Sequence, residues 1–408
     1  MAIKEFFDIP KRYKTWSIAL MAVGVLSIVI GFVMYGTDEH HKTRFWATML
    51  HNSIFFLLIS NASMFFICAT TLAFGSWQLT FRRVAEAISI AVIPLGIIAL
   101  AIMIYCVVAD PHIYHWLHPD GDKILEGKAG FLNAKFYIIW TTLTIGLWIV
   151  LGRKMRQLSR ELDNNPLPSV EARKKYIFKN TVWAAVFIVW FALTTMSTIP
   201  WFWLMSIDPH WYSTMYSWYT FASSWVSGIS LIVLFTVYLK NKGYLEYTNQ
   251  EHLHDLGKFM FAFSVFWTYL WFSQYMLIWY ANIPEETVYF NSRITTDHHA
   301  GAYTGIYWFA FIINFLAPLL ILMRRGSKRN YTTIALMAIV IIFGHWLDFY
   351  QMIFASLFKE HVELNLFDFG VAAGFIGVIM WTAGQAFAKY PLLAKNHPFI
   401  KESVIHHT

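Results

Sequence analysis

AISIAVIPLGIIALAIMIYCVV, residues 87–108, contains no aspartate, glutamate, lysine or arginine. An uncharged apolar run of this length spans the hydrocarbon core of a bilayer as an α-helix. The whole chain is only 13% charged and has a mean hydropathy of +0.48, whereas a soluble chain carries about twice that charged fraction. The composition therefore excludes an ordinary soluble protein and predicts a protein that crosses a membrane several times.

The other apolar runs extend this prediction to the whole chain. Backbone polar groups in lipid must be hydrogen-bonded internally, so each run is expected to be a helix. We predict an all-α integral membrane fold in which residues 1–408 form a single polytopic domain. Its ten helices are expected at about 15–35, 45–73, 87–108, 131–152, 178–205, 213–240, 258–280, 303–324, 331–357 and 366–388. The spans allow helices 2–5 and 6–9 to form two similar four-helix groups, although no sequence repeat shows this.

The distribution of Lys and Arg predicts the orientation. When alternate connections are grouped, only seven of the 31 Lys and Arg residues fall on one side: Lys42, Arg44, Lys123, Lys128, Lys135, Arg293 and Lys359. Because positive charge is retained in the cytoplasm, both termini are expected to be cytoplasmic. The net charge of +7 is thus explained by topology and does not indicate nucleic-acid binding.

The segment TIPWFWLMSIDPHWYSTMYSWYTF (198–221) is expected at the outer interface. Trp and Tyr concentrate at such interfaces, which accounts for most of its aromatic residues. It does not account for Asp208, His210 and Trp211, so we interpret these three residues as candidates for docking a partner protein. The alternative is an aromatic belt alone.

The sequence lacks the motifs of a self-contained redox protein. No CxxCH motif, cysteine cluster or HExxH motif occurs, so we expect no covalently bound haem, iron–sulfur centre or metal site in this chain. The two cysteines, Cys68 and Cys106, fall inside predicted helices and are expected to be buried apolar residues.

Four histidine and acidic residues fall within or at the end of predicted helices, namely His51, His345, Asp348 and Asp368. Ionisable groups at this depth are costly and usually functional. Histidine and a desolvated aspartate exchange protons near neutral pH, so we interpret these residues as a proton relay. The alternative is a set of structural hydrogen bonds between helices.

Helix 7 carries a second candidate site on its outer half. A quinol requires an apolar slot with polar groups at its ends, and five residues recur there at helical spacing: Trp271, Gln274, Tyr275, Trp279 and Asn282. Ordinary helix packing with an aromatic belt is the competing explanation for this pattern.

Two runs carry a resemblance to a known family. PWFWLMSIDPHWYSTMYSWYTFASSWVSGIS (200–230, the first aromatic run), together with the ten spans, resembles the NrfD/PsrC-like membrane subunits of alternative complex III. FWTYLWFSQYMLIWYANIPEETVYF (266–290, the second aromatic run) is similar to the ActF type in particular. The similarity covers nearly the whole chain, and the first aromatic run is its most specific part.

The resemblance implies a subunit of a bacterial quinol:electron-acceptor oxidoreductase in the inner membrane. It implies two four-helix bundles, helices 2–5 and 6–9, with helices 1 and 10 beside them. The implied partners are an NrfD-like ActC-type subunit, an extracytoplasmic iron–sulfur protein, and multihaem and monohaem c-type cytochromes. These partners would hold the redox centres, while this chain would contact membrane lipid and a quinol such as menaquinol.

Several functions remain open at the level of sequence. The leading hypothesis is a membrane subunit that anchors the redox subunits of a quinol-oxidising complex and conducts protons. The alternatives are a quinol-binding subunit in its own right, a non-catalytic scaffold and a secondary transporter. A transporter is expected to show broken helices in matched halves, and the internal prolines Pro94, Pro200 and Pro318 show no such match.

Overall fold

The computed structural model describes residues 4–37, 41–295 and 300–407, apart from the side chain of Asn164. These ranges are helical and contain no β-strand, which confirms the predicted all-α class. Ten long helices, labelled in chain order, are α1 Lys11–Gly36, α2 Lys42–Leu72, α3 Arg82–Val108, α4 Ala134–Asp163, α5 Val170–Ile207, α6 Met215–Asn241, α7 Gln250–Ala281, α8 Thr304–Leu322, α9 Tyr331–Leu357 and α10 Leu366–Lys389.

Within the described ranges, nine of these helices are long and apolar enough to cross a membrane. Helix α7 is the exception, although it is 32 residues long. Its apolar part is interrupted by Trp, Tyr, Ser and Gln residues, which lower its mean hydropathy. A multi-pass membrane protein is thus supported by nine helices.

Three helices extend beyond the predicted apolar runs by about two turns or more. The fourth helix is predicted to end at residue 152, but α4 continues through 153–163. Helices α5 and α7 each begin earlier than predicted, because Ser169 Oγ accepts from Ala172 N and Asn249 Oδ1 accepts from Glu251 N at their first turns. Polar turns rich in good helix formers therefore lengthen the helices past the apolar layer. The segment NNPLPS (164–169) lies between α4 and α5.

One end of the helix assembly contains Arg44 and is called the Arg44 end. Connections that are far apart in the chain are joined there. Thr43 Oγ1 donates to the Pro111 carbonyl at 2.7 Å, and Lys359 Nζ lies 3.1 Å from Asp208 Oδ2. These connections belong to the group with few Lys and Arg residues.

The opposite end contains Arg82 and is called the Arg82 end. Here the C-terminal segment folds back over the other connections. Ser403 Oγ donates to the Trp77 carbonyl at 2.8 Å, and Leu392 N donates to the Glu5 carbonyl at 2.8 Å. Alternate connections therefore lie at opposite ends of the helix assembly, and those with few Lys and Arg residues lie at the Arg44 end.

Helices α2 and α6 form the centre of the fold. In the most apolar 18-residue stretch of each helix, 83% of the residues of α2 and 89% of those of α6 are buried. They pack closely because Gly228 of α6 faces α2, where an added Cβ would lie 2.5 Å from Ala62 Cβ. Polar side chains on these two helices consequently face other helices and not lipid.

Helix α1 lies at the edge and packs mainly against α10. Only 17% of the residues in its most apolar 18-residue stretch are buried. The two helices cross at Gly24 and Gly374, where a Cβ on Gly24 would lie 2.3 Å from the Gly374 Cα. Small residues allow this close backbone approach, which drives helix association in membranes through van der Waals contact.

Gly374→Leu is expected to separate α1 from α10, because the new side chain would occupy the space of the α1 backbone. Overpacking of this kind costs about 1–3 kcal/mol. The free energy of unfolding can be followed in detergent by the reaction of a thiol dye with Cys68 and Cys106, which are both buried. Gly146→Leu is the control, because nothing lies within 4 Å of a Cβ at that position. Equal unfolding curves for the two variants would contradict the close crossing.

Candidate functional site

Asp348 of α9 lies in a fully buried polar cluster. Its Oδ1 accepts hydrogen bonds from the Tyr219 hydroxyl and from Gln351 Nε2, the latter at 3.1 Å. Its Oδ2 accepts from Ser223 Oγ at 3.2 Å and from Trp267 Nε1 at 3.1 Å. An ionised carboxylate is an acceptor only, and all four neighbours donate. The cluster is therefore built to hold a carboxylate inside the helix assembly.

His345 joins this cluster through Ser223. The Ser223 Oγ lies 2.9 Å from His345 Nδ1, while His345 Nδ1 lies 3.8 Å from Asp348 Oδ2. A hydroxyl both accepts and donates, so Ser223 can accept a proton from the imidazole and pass its own to the carboxylate. This arrangement supports proton exchange between His345 and Asp348.

The cluster also contains polar atoms without partners. His345 Nε2 and both amide atoms of Asn314 are buried and make no hydrogen bond. Asn314 lies in a π-helical turn of α8, and its Oδ1 would be 2.1 Å from a Cβ on Gly344. The glycine beside His345 thus makes room for an amide that has no protein partner, a setting that a water molecule would satisfy.

Helical spacing explains how three helices supply this site. Tyr219 and Ser223 are four residues apart on α6, and His345, Asp348 and Gln351 are three apart on α9. Such residues share a helix face, and α6 packs against both α7 and α9. The sequence predicts a relay role for His345 and Asp348 of α9. It does not predict the direct role of Ser223, because cross-helix contacts leave no local pattern.

The other relay candidates lie elsewhere. His51 is buried on α2, and its Nε2 lies 2.9 Å from the Trp346 carbonyl. Trp346 in turn donates from Nε1 to Asn52 Oδ1 at 2.9 Å. His51 therefore lies on the α2 side of α9 and has no direct hydrogen bond to Asp348.

Asp368 forms an ion pair with Arg44 that no local sequence pattern predicts. Its two carboxylate oxygens accept from Arg44 Nη2 at 2.6 Å and Nη1 at 3.2 Å, and Thr48 Oγ1 donates to it at 2.8 Å. Arg44 also donates to the Glu363 carbonyl at 2.6 Å. Arg44, one of the seven Lys and Arg residues on the sparsely charged side, thus neutralises the relay candidate Asp368. Its guanidinium binds both carboxylate oxygens.

The five quinol candidates on α7 differ in burial. Trp271 and Gln274 are buried, Tyr275 is half-buried and Trp279 is 60% exposed. Asn282 is the exposed left-handed C-cap of α7, with φ of 49°. The structure therefore encloses Trp271 and Gln274 among other helices and leaves Trp279 and Asn282 exposed.

Two of the docking candidates are paired with other connections at the Arg44 end. Asp208 contacts Lys359, and His210 Nε2 lies 3.0 Å from Asp122 Oδ2. The His210 side chain is half exposed. In the described residues, no group of three or more His, Cys, Asp or Glu side chains is arranged to hold a metal ion.

The third docking candidate, Trp211, is buried. It stacks on Tyr289 with ring centroids 4.2 Å apart, and its Nε1 donates to the Glu286 carbonyl at 3.1 Å. It joins the two aromatic runs to each other. The aromatic residues of this segment that do face outward are Trp201, Tyr212 and Trp218.

No model of a known protein family matches this chain. A search of curated proteins likewise gave no match.

Proposed function

We propose that this chain is an integral membrane subunit of a bacterial quinol-oxidising respiratory complex, of the ActF type in alternative complex III. In this proposal all ten helices cross the inner membrane, both termini are cytoplasmic, and the Arg44 end faces outward. Helices α2–α5 form one four-helix bundle and α6–α9 the other, with α1 and α10 beside them. The contacts of α2 with α3 and α5, of α4 with α3 and α5, and of α6 and α8 with α7 and α9 support this grouping.

The convergence of the two aromatic runs on Asp348 carries the proposal. The first aromatic run supplies Tyr219 and Ser223, and the second supplies Trp267. All three side chains donate hydrogen bonds to the same buried carboxylate. The segments that resemble the family are therefore the segments that build the most elaborate buried polar site described above.

The proposed role is to anchor the redox subunits and to move protons. His345, Ser223 and Asp348 form the relay, since the serine hydroxyl lies between the two titratable groups. Electron transfer belongs to the partners, namely the iron–sulfur protein and the c-type cytochromes, beside an ActC-type membrane subunit. The Arg44 end, with its outward-facing aromatic residues, is the proposed contact surface for them.

Purification of the tagged chain from its native membrane in mild detergent tests this function. We expect c-type cytochromes and an iron–sulfur protein to co-purify, and the preparation to reduce an electron acceptor with added quinol. If the chain is a non-catalytic scaffold, the same subunits co-purify with it, but substitutions of Asp348 leave proton release unchanged. Recovery of the chain alone, without haem-bearing partners, would contradict the proposal and favour a transporter.

Cysteine labelling tests the orientation. Gly127→Cys lies between α3 and α4 at the Arg44 end, and Gln157→Cys lies in the extension of α4 at the Arg82 end; both positions are exposed. We expect an impermeant thiol reagent to label the first in intact cells and the second only after permeabilisation. The native cysteines are buried and can remain. The reverse labelling pattern would overturn the orientation.

A further inference from the structure

Charged side chains of α3 and α4 form a buried cluster at the Arg82 end. Arg82 Nε lies 3.0 Å from Glu86 Oε1, and Arg83 Nη1 lies 2.8 Å from Glu86 Oε2. Arg83 Nη2 also binds the carboxylate of Asp163 on α4. Both carboxylates of this cluster are therefore bound by the two arginines of α3.

Two further arginines reach this region from α4 without a carboxylate partner. Arg156 is only 5% exposed, and its Nη1 donates to Ser89 Oγ at 2.9 Å and to the Ser89 carbonyl at 3.2 Å. Arg160 lies one turn further along the helix and makes no hydrogen bond or ion pair within the described part of the chain, and its Nε is buried. Like charges at this spacing repel each other, so a bound anion would stabilise the pair.

The end of α10 brings another cation to the same place. The Arg160 guanidinium lies over the ring of Tyr390, 3.3 Å from its centroid, and Lys389 Nζ is 5.6 Å from the same centroid. Arg160, Tyr390 and Arg83 line a small cleft between α3, α4 and α10, which we call the Arg160 cleft. Lys389 is exposed and forms no ion pair with any residue that the structure describes. The cleft therefore carries positive charge that these residues do not neutralise.

The Arg160 cleft lies at the level of the lipid headgroups. Tyr390 directly follows α10, and the apolar run of that helix ends near residue 388. Arg160 begins about 12 Å beyond the apolar run of α4, but side chains on a helix lean toward its N-terminus, which brings the guanidinium back to Tyr390. Headgroups occupy about 5–8 Å on each side of the hydrocarbon core, so the guanidinium lies at the depth of the phosphates of the adjoining leaflet.

The chemistry of the cleft favours a phosphodiester with a net negative charge. A guanidinium presents a planar fork of N–H donors that matches phosphate oxygens, and its charge strengthens these hydrogen bonds. Phosphatidylcholine carries its own cation, so it would leave the excess positive charge of the cleft in place. An anionic phospholipid supplies the missing negative charge, and basic pockets between membrane helices bind such headgroups.

We propose that the Arg160 cleft binds the phosphodiester of an anionic phospholipid from the adjoining leaflet. Arg160 holds the phosphate, Lys389 contacts it from α10, and Arg156 contributes its charge from one turn closer to the apolar layer. The acyl chains lie along the lipid-facing surface of α4, where Val150 is 59% exposed. The site requires only that the helices cross a membrane, so it does not depend on the proposed respiratory function.

Native mass spectrometry of the purified full chain, together with any subunits that co-purify, tests the site. The protein is stripped of lipid in detergent and titrated with phosphatidylglycerol or with phosphatidylcholine that has the same acyl chains. We expect the first phosphatidylglycerol to bind at least about tenfold more tightly than the first phosphatidylcholine, a difference of about 1.4 kcal/mol. The preference should weaken at high salt, because the cleft is open to solvent and its charge is screened.

Three variants assign this preference to the cleft. Arg160→Gln should abolish it and leave phosphatidylcholine binding unchanged, whereas a merely structural role for Arg160 would change the binding of both lipids alike. Lys389→Gln, at an exposed position, should lower the preference about fivefold, as expected for one cation beside anionic lipid, and it tests the site even if Arg160→Gln does not fold. Arg173→Gln is the matched control. It removes an exposed cation from the first turn of α5 at the same end and should keep the wild-type preference.

Four results would overturn the lipid site. Equal affinity of the wild type for the two lipids, or an unchanged preference in Lys389→Gln and in folded Arg160→Gln, would show that the cleft does not select an anionic headgroup. Displacement of phosphatidylglycerol by an equal concentration of inorganic phosphate would assign the cleft to a soluble phosphate compound. Loss of a co-purifying subunit in Arg160→Gln, with no lipid preference in the wild type, would assign the cations to an acidic partner protein. The presence of haem-bearing partners in the same preparation tests the proposed function separately.

Discussion

Arg44→Leu is expected to destabilise the folded chain by about 3–5 kcal/mol, the cost of leaving one member of a buried ion pair without its partner. Arg44 and Asp368 are 2% and 0% exposed. The guanidinium holds both carboxylate oxygens at the start of α10 and also reaches the Glu363 carbonyl. Its loss therefore weakens the attachment of α10 to α2 at the Arg44 end. The temperature at which the two buried thiols react with a dye in detergent measures the effect.

Two comparisons make this prediction specific to the buried pair. The double variant Arg44→Met with Asp368→Leu should recover most of the stability, because an apolar pair leaves no uncompensated charge. Lys179→Ala removes a pair with Glu161 in which both side chains are more than 40% exposed, and such pairs contribute about 0–1 kcal/mol. If the double variant is as unstable as Arg44→Leu, packing rather than charge explains the loss.

The helical class could be predicted because its cause is local. Runs such as 87–108 contain no charged residue over a length that spans the bilayer. Because lipid offers no hydrogen-bond partners, the backbone of such a run must form a helix. The ends were less predictable, as 153–163 shows, because apolar content does not mark where a helix terminates. Ser169 and Asn249 could have indicated the true starts, since both residue types are common N-caps.

The site could be predicted only where one helix supplies several members. The spacing of His345, Asp348 and Gln351 placed them together on α9, and the structure adds their hydrogen bonds. The pairing of Arg44 with Asp368 spans 324 positions in sequence, and no local pattern carries such a contact.

Asp348→Asn is expected to preserve the fold while removing the proposed proton relay. Trp267 Nε1 can only donate, so the remaining oxygen of the asparagine must face Trp267 and Ser223. Its amide nitrogen then faces Tyr219 and Gln351. The Tyr219 oxygen can accept, and rotation of the Gln351 amide presents Oε1, which has no partner in the wild-type cluster. Each of the four side chains around residue 348 therefore retains a hydrogen-bonding partner on the asparagine.

Asp348→Leu is the contrasting variant. It leaves four buried donors without an acceptor, at about 1–3 kcal/mol for each unsatisfied group, and we expect it to prevent assembly or to lower the unfolding temperature strongly. Asp348→Asn should instead assemble with normal cofactor content. The comparison separates the structural role of the carboxylate, which an amide can replace, from its charge, which an amide cannot.

The decisive measurement for Asp348→Asn is proton release in liposomes that contain the assembled complex. Asparagine cannot take up a proton from His345 through Ser223, so we expect the proton-to-electron ratio or the rate of coupled release to fall while quinol oxidation by the partner subunits continues. Ser223→Ala should weaken the same step without changing any charge, because it removes the hydroxyl between the two titratable groups. Wild-type ratios and rates in both assembled variants would show that the cluster is a structural hydrogen-bond network and that protons are released elsewhere in the complex.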